Sequence, residues 1–168
     1  ELEFRKLIPI IPITKGMINF SMNGTFSKSA VTERDSIILY NGTIYPNSSL
    51  SDSNKRGLVG HSEILINTTL NAQLVNGFSV SLSYNTFSQR LNSYAVGSLG
   101  DEYEFPFHSL NFTTSKKIKN FKLSFKINNI LNSKIRYGKI DKSNNQNLYT
   151  TSYEPGYSAG LSLVYSIR

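Results

Sequence analysis

Over its 168 residues the chain carries 18 Lys and Arg against 11 Asp and Glu, a net charge of +7, with 17% charged residues and no Cys. That composition excludes disulfides and thiolate metal sites, and Ser, Asn and Thr stand where charges are missing. No apolar run approaches the ~18 residues of a membrane helix, whereas a barrel strand needs only ~9–11 tilted residues, so a strand-built membrane protein stays open. The basic residues form no stripe interleaved with stacking aromatics, and many gather around Lys116, Lys117 and Lys119. Nucleic acid is therefore set aside as a partner.

Residues 1–7 alternate and predict a first strand, closed where Pro9 and Pro12 remove backbone donors. With no initiator Met, basic n-region or apolar h-region at Glu1, the chain reads as a fragment. A second strand is expected from Met17 to Ser29, with Ile18, Phe20, Met22, Gly24 and Phe26 on one face. Thr32 to Lys55 reads as a long polar loop, punctuated by Asn41-Gly42 and Pro46-Asn47. His61 to Leu74 predicts the third strand and Phe78 to Arg90 the fourth. Between them, Val75-Asn76-Gly77 predicts a tight hairpin turn, since Asn-Gly tolerates positive φ at both positions.

Tyr103 to Lys116 predicts the fifth strand, and the sixth begins at Phe121 after a short turn. On that sixth run Phe121, Leu123, Phe125 and Ile127 oppose Lys122, Ser124, Lys126 and Asn128. Residues 132–151 read as a second long polar loop, and Tyr157 to Ile167 as the closing strand. Short connections thus alternate with long ones, as in outer-membrane barrels. Two aromatic girdles are expected, with Tyr84, Phe87, Tyr94, Tyr103, Phe105 and Phe107 at the long-loop end and Phe78, Phe121 and Tyr165 at the other. A soluble β-sandwich with its apolar faces in contact is the competing reading.

The order of these segments resembles the C-terminal part of the β-barrel of TonB-dependent outer-membrane receptors of the Bacteroidetes type. The resemblance is carried by residues 1–6, by Arg56 to Asn67, by Ser83 to Leu91, and by Tyr103 to Pro106 ahead of Ser115 to Ile118. It continues in Asn128-Asn129-Ile130-Leu131-Asn132 and in Tyr153 to Tyr157 before the closing strand. It implies an all-β fold, an antiparallel up-and-down transmembrane β-barrel. Residues 1–168 would supply about seven C-terminal strands of twenty-two, with the plug domain and earlier strands absent. The alternative is an eighth strand within Ser36 to Tyr40, completing a small barrel. The chain departs from the family in ending Tyr165-Ser166-Ile167-Arg168 where an aromatic terminus is usual. It also carries His61-Ser62-Glu63 where relatives often have Gln-Ser-Pro.

The implied function is receptor and transporter: barrel wall and extracellular loops for active import of a scarce or large solute such as a siderophore or glycan. The implied location is the outer membrane of a Gram-negative bacterium. The implied partners are the rest of the barrel and its plug, outer-membrane lipid, TonB through the N-terminal part, and a surface lipoprotein. The alternatives are a non-transport barrel for adhesion or secretion and the soluble binding module. No enzyme activity, catalytic residue or cofactor is expected.

Loop tyrosines Tyr40, Tyr45, Tyr137, Tyr149 and Tyr153 are the candidate ligand contacts, since tyrosine joins an apolar face to a hydrogen-bonding tip. Lys122 and Lys126 are expected to face the lumen, paired with plug acids or attracting an anionic solute. His61 and His108 lack metal-ligand spacing, and His108 and Ser109, being adjacent on a strand, cannot pair. Asp101, Glu102 and Glu104 supply too few oxygens for Ca²⁺, which takes ~6–8, and read as a solvated loop. No metal site is expected. Matches to the glycosylation pattern such as Asn47-Ser48-Ser49 are chance in so Asn- and Ser-rich a chain.

Overall fold

The computed structural model describes residues 2–10, 16–32, 38–40, 43–45, 55–94, 100–141, 144 and 146–167. The described residues are all-β. In chain order the strands are β1 (Leu2–Ile10), β2 (Gly16–Phe26), β3 (Val31–Thr32), β4 (Ile38–Tyr40), β5 (Thr43–Tyr45), β6 (Lys55–Arg56), β7 (Ile64–Leu74) and β8 (Phe78–Phe87). They continue as β9 (Arg90–Ser93), β10 (Glu102–Glu104), β11 (Phe107–Ile118), β12 (Phe121–Asn128), β13 (Ile135–Asp141), β14 (Gln146–Tyr153) and β15 (Ser158–Tyr165).

Seven long strands form one sheet in the order β1-β2-β7-β8-β11-β12-β15. Each neighbour is antiparallel, so the sheet is an up-and-down meander with β1 and β15 at its edges. Directly opposed residues share a face, and the register carries single rows across all seven strands. One row reads Lys6, Phe20, Leu70, Leu82, Phe112, Ile127, Ala159. The adjacent row reads Asn19, Asn71, Ser81, Thr113, Lys126, Gly160, and faces the opposite side. The next returns to the first side with Ile18, Ala72, Val80, Thr114, Phe125, Leu161. The sheet therefore has one apolar side and one side made mostly of Asn, Ser and Thr. Lys6, on the edge strand, is the charge that interrupts the middle of the apolar side.

That apolar side is open. Leu161 is 73% exposed, Leu163 65% and Phe4 55%, while Leu91 and Phe105 are the buried hydrophobic side chains among the described residues. Neither of those two belongs to the seven-stranded sheet. They lie at its long-loop end, where β14-β13-β10-β9 form a separate four-stranded sheet.

Several expectations need correction. Residues 132–151 are not one polar loop, because β13 and β14 within them pair as a hairpin of the outer sheet. The fourth and fifth predicted strands each break in two, at Ser88-Gln89 and at Phe105-Pro106, and their outer halves join that sheet as β9 and β10. Pro106 has no N–H to continue a ladder, which places the second break. Strand β1 runs on through Pro9, which an edge strand tolerates. Ile38–Tyr40 pairs with Thr43–Tyr45 rather than adding an eighth strand to the main sheet, and residues 36 and 37 lie outside the described residues.

The short turns fall where expected. Only Gly77 (φ 78) takes positive φ at the first hairpin. The Gly77 N–H donates to the Leu74 carbonyl at 3.1 Å and the Asn76 Oδ1 accepts from the Phe78 N–H at 3.0 Å. This is a three-residue loop with glycine at its left-handed position. Between β11 and β12 the turn is Lys119-Asn120, with Lys119 at φ 53. At the opposite end Asn129 is buried with φ 52. Its Nδ2 donates to the Gly156 carbonyl at 2.8 Å, and its N–H donates to Asn111 Oδ1 at 3.0 Å. One asparagine thus ties the ends of β11 and β12 to the approach to β15.

A Cβ at position 77 would sit 2.8 Å from the Lys117 carbonyl, in a backbone region that costs an L-residue about 1–2 kcal/mol. Gly77→Ala should lower the unfolding free energy by roughly 2–3 kcal/mol in denaturant titration, while Val75→Ala, fully outside the turn's hydrogen bonds, changes it by under about 0.5 kcal/mol.

Candidate functional site

The outer sheet is the part of the chain that brings dissimilar side chains together. Register shifts at Glu102/Tyr103 and at Tyr137/Gly138 bend its strands. Gly138 is required at the second, because a Cβ there would strike the Leu148 carbonyl and come within 2.8 Å of Tyr149 Cα. Leu91 and Phe105 are its small core, and the Phe105 and Tyr149 rings meet edge-on at 5.0 Å.

Polar partners hold the rest. The Arg90 Nε donates to Glu104 Oε2 at 2.7 Å, and the Arg90 guanidinium lies 4.3 Å from the Phe87 ring centroid. Glu104 is buried, so this pair is the electrostatic centre of the sheet. Arg56 pairs with Asp101 at 2.8 Å and lies 5.9 Å from the Tyr94 ring, fastening β6 beside the sheet. Glu102 accepts from the Thr150 hydroxyl at 2.7 Å and from the Asn92 amide at 3.0 Å. Those bonds, Thr150 first, hold its carboxyl below the usual carboxylate range, with help from the Lys139 charge. The three acids of the expected solvated cluster thus go to three different partners. Among the described residues no group of His, Asp and Glu could hold a metal ion.

The candidate tyrosines do not converge. Tyr137 opposes Glu104 and Thr151, and Tyr153 opposes Ile135, which puts both on one face of the outer sheet. Tyr149 opposes Gly138, which opposes Tyr103, and so lies on the other face, with the Arg136 guanidinium 5.4 Å from its ring. Burial first, and then the Glu104 charge, push the Tyr137 hydroxyl above its ordinary pKa, so it remains a hydrogen-bond donor. Burial and the Asp101 charge do the same for Tyr103. Tyr40 and Tyr45 belong to the separate β4–β5 hairpin, and their side chains lie outside the described residues.

Lys122 and Lys126 stand on the Asn/Ser/Thr side of the main sheet, opposite Val164 and Gly160. Two open hollows lie against that side. One, of about 400 Å³, is lined by Lys122 together with Gln73, Ser115 and Lys117 at the short-turn end. The other, of about 260 Å³, is lined by Arg5, Asn19, Asn67 and Thr69.

The histidines sit apart. Hydroxyls of Ser27 and Ser29 lie 2.9 Å from His61 Nε2 and Nδ1 respectively, a local clasp below the long loops. His108 Nδ1 is 2.7 Å from the Tyr84 hydroxyl and 3.0 Å from that of Thr86, on the apolar side. Ser109, on the opposite side, donates to Asn111 instead.

The expected long-loop girdle is corrected by the register. Phe87 and Phe107 oppose one another on the polar side and stack at 6.1 Å, while Tyr94, Tyr103 and Phe105 belong to the outer region. Of those six aromatics Tyr84 is the one on the apolar side, joined there by His108. At the short-turn end Phe78, Phe121 and Tyr165 do share the apolar side, with the last two rings 4.8 Å apart. Sequence reasoning missed the Arg90–Glu104 pair and the outer sheet. The available signal was the turn-forming pair Asn144 and Asn145, though no clean alternation flanks it.

No protein-family model, curated protein or solved structure matches the chain.

Two outcomes follow from this geometry. Arg90→Met leaves the buried Glu104 carboxylate without its partner and should destabilise the outer sheet by roughly 2–4 kcal/mol, read by hydrogen exchange at β10 and β13. The lowered Glu102 pKa stabilises the folded sheet above the ordinary carboxylate range, and that contribution is lost as pH falls through the lowered value. Thr150→Val should therefore move the onset of acid-induced exchange in β14 to higher pH, and an unchanged onset would remove Thr150 from this role.

Proposed function

We propose that the chain is the C-terminal part of the β-barrel of an outer-membrane TonB-dependent receptor, working in the active import of a scarce or large solute. The observation that carries this reading is the uncovered apolar side: rows of Phe, Leu, Ile and Val run across seven strands with no described residue packed over them. A soluble chain of this length has surface enough to bury a large core, and a contiguous apolar face of this extent meets either lipid or a partner. The opposite side, rich in Asn, Ser and Thr, suits water or a polar domain within a barrel.

In this reading the short turns lie at the periplasmic end and the outer sheet stands outside the cell. Tyr84 and His108 at one end of the apolar side, and Phe78, Phe121 and Tyr165 at the other, sit where interfacial side chains collect. The free edges of β1 and β15 could not be left unpaired in lipid, where each unsatisfied backbone group costs several kcal/mol. The reading therefore requires further strands, the plug, and coupling to TonB through a part of the protein outside residues 1–168. Lys6 reaches the boundary along its apolar stem or pairs with a neighbouring strand. The outer sheet serves ligand contact rather than bond chemistry, through Tyr137 and Tyr153 on one face and Tyr149 on the other. A soluble β-sandwich would have to bury the apolar side that stands open here.

The absence of Cys makes the test direct. In lipid vesicles, an environment-sensitive probe on Leu161→Cys should report an apolar setting and be quenched by brominated acyl chains, while the same probe on Ser162→Cys should not. Equal signals at the two positions, or a monodisperse monomer purified without detergent, would sink the membrane reading.

A further inference from the structure

Among the described residues the acids are confined to the long-loop end, where Arg56, Arg90 and Lys134 pair with them, while the short-turn end carries lysines without acids. The described acids Glu63, Asp101, Glu102, Glu104, Asp141 and Glu154 lie in the outer sheet or at the long-loop end, and Glu3 lies in that half of β1. Lys116, Lys117, Lys119 and Lys122 crowd the short-turn end. Lys116 lies on the apolar side, where its Nζ donates to the Asn76 carbonyl at 2.9 Å. Lys117 and Lys122 are directly opposed on the polar side, a like-charge cross-strand pair that is destabilising unless an anion intervenes. Both line the 400 Å³ hollow, whose wall includes the hydrogen-bonded hydroxyls of Ser79 and Ser115, 2.8 Å apart. Four residues further along β12, on the same side, Lys126 stands beside Gly160, where an added Cβ would meet nothing within 4 Å.

We infer that Lys117, Lys122 and Lys126 form a cationic track on the polar side of β12 that binds an extended acidic polypeptide segment. Four strand residues span about 13 Å, so one oxyanion cannot bridge Lys122 and Lys126. An extended chain presents every second side chain on one side, about 7 Å apart, and carboxylates at that spacing reach both lysines. The gap at Gly160 gives the chain room beside Lys126, and the hollow receives a carboxylate between Lys117 and Lys122. The track is a property of this face alone and stands whether the apolar side meets lipid or protein.

The test is fluorescence anisotropy of a labelled hexaglutamate peptide with the full chain in zwitterionic detergent at low salt. Binding should weaken roughly 2- to 5-fold for each of Lys117→Gln, Lys122→Gln and Lys126→Gln, and be retained in the Arg variants. Gly160→Leu, which removes no charge, should weaken it as well. Lys134→Gln, at the opposite end and paired there with Glu154 at 2.8 Å, should not. Binding should fall as salt rises toward about 0.5 M, as the Debye length shrinks to a few ångströms. The proposal is overturned by absence of peptide binding at low salt, by equal loss in Lys134→Gln, or by displacement with inorganic phosphate at the peptide's own concentration, which would mark a single-oxyanion pocket.

Discussion

The seven-stranded sheet is held together sideways. Its strands cohere through backbone ladders and through contacts between neighbours in the same row, because the described residues place nothing over either side. Hydrophobic burial, the main driving force for folding in most domains, is therefore left to whatever medium covers the apolar rows. The outer sheet follows the other rule. It has a small enclosed core in Leu91 and Phe105, with a buried ion pair set beside it. Two kinds of stability meet at Ser88-Gln89 and Phe105-Pro106, where single strands pass from one sheet to the other.

This division explains what could be read in advance. The strands of the seven-stranded sheet were legible because period-two alternation of Phe, Leu and Ile against Ser, Asn and Lys is a strong signal wherever one side is apolar. The outer sheet was not, because β14 reads Gln-Asn-Leu-Tyr-Thr-Thr-Ser-Tyr, in which polar and aromatic residues occupy both sides. The register shift opposite Tyr137 and Gly138 also leaves Thr150 as an extra residue on β14 and resets the alternation of that strand halfway along. The hairpin at Asn76-Gly77 was recognisable as a turn, but its type depends on loop length, and three residues there need only one left-handed position. The aromatic girdle failed for a simpler reason. Tyr84 and Phe87 are an odd number of residues apart, so they could not share a side of one strand.

The candidate site was legible as a region more than as a set of residues. Tyr137, Tyr149 and Tyr153 do belong to the outer sheet, yet pairing through β10 divides them between its faces. Beside Tyr137 stands the buried Glu104, whose importance no local pattern announces. It becomes visible only when β9 and β10 lie side by side and Arg90 closes on it from fourteen residues away. Lys122 and Lys126 were more accessible to reasoning, because both the strand and its facing are set by the apolar run that alternates with them.

The turn at Lys119-Asn120 has a consequence beyond closing a hairpin. Up to Ile118 the apolar side is carried by even-numbered positions, and from Phe121 onward by odd ones. The two-residue turn is where the count changes over, so it acts on the sheet as a reading frame acts on a message. Loss of one residue there would invert every side chain of β12, presenting Lys122 and Lys126 to the apolar side and Phe125 to the other. The long excursions carry no such constraint, since residues that lie off the ladder can be added or removed without shifting its phase. Variation in length should therefore be cheap at one end of this molecule and prohibitive at the other.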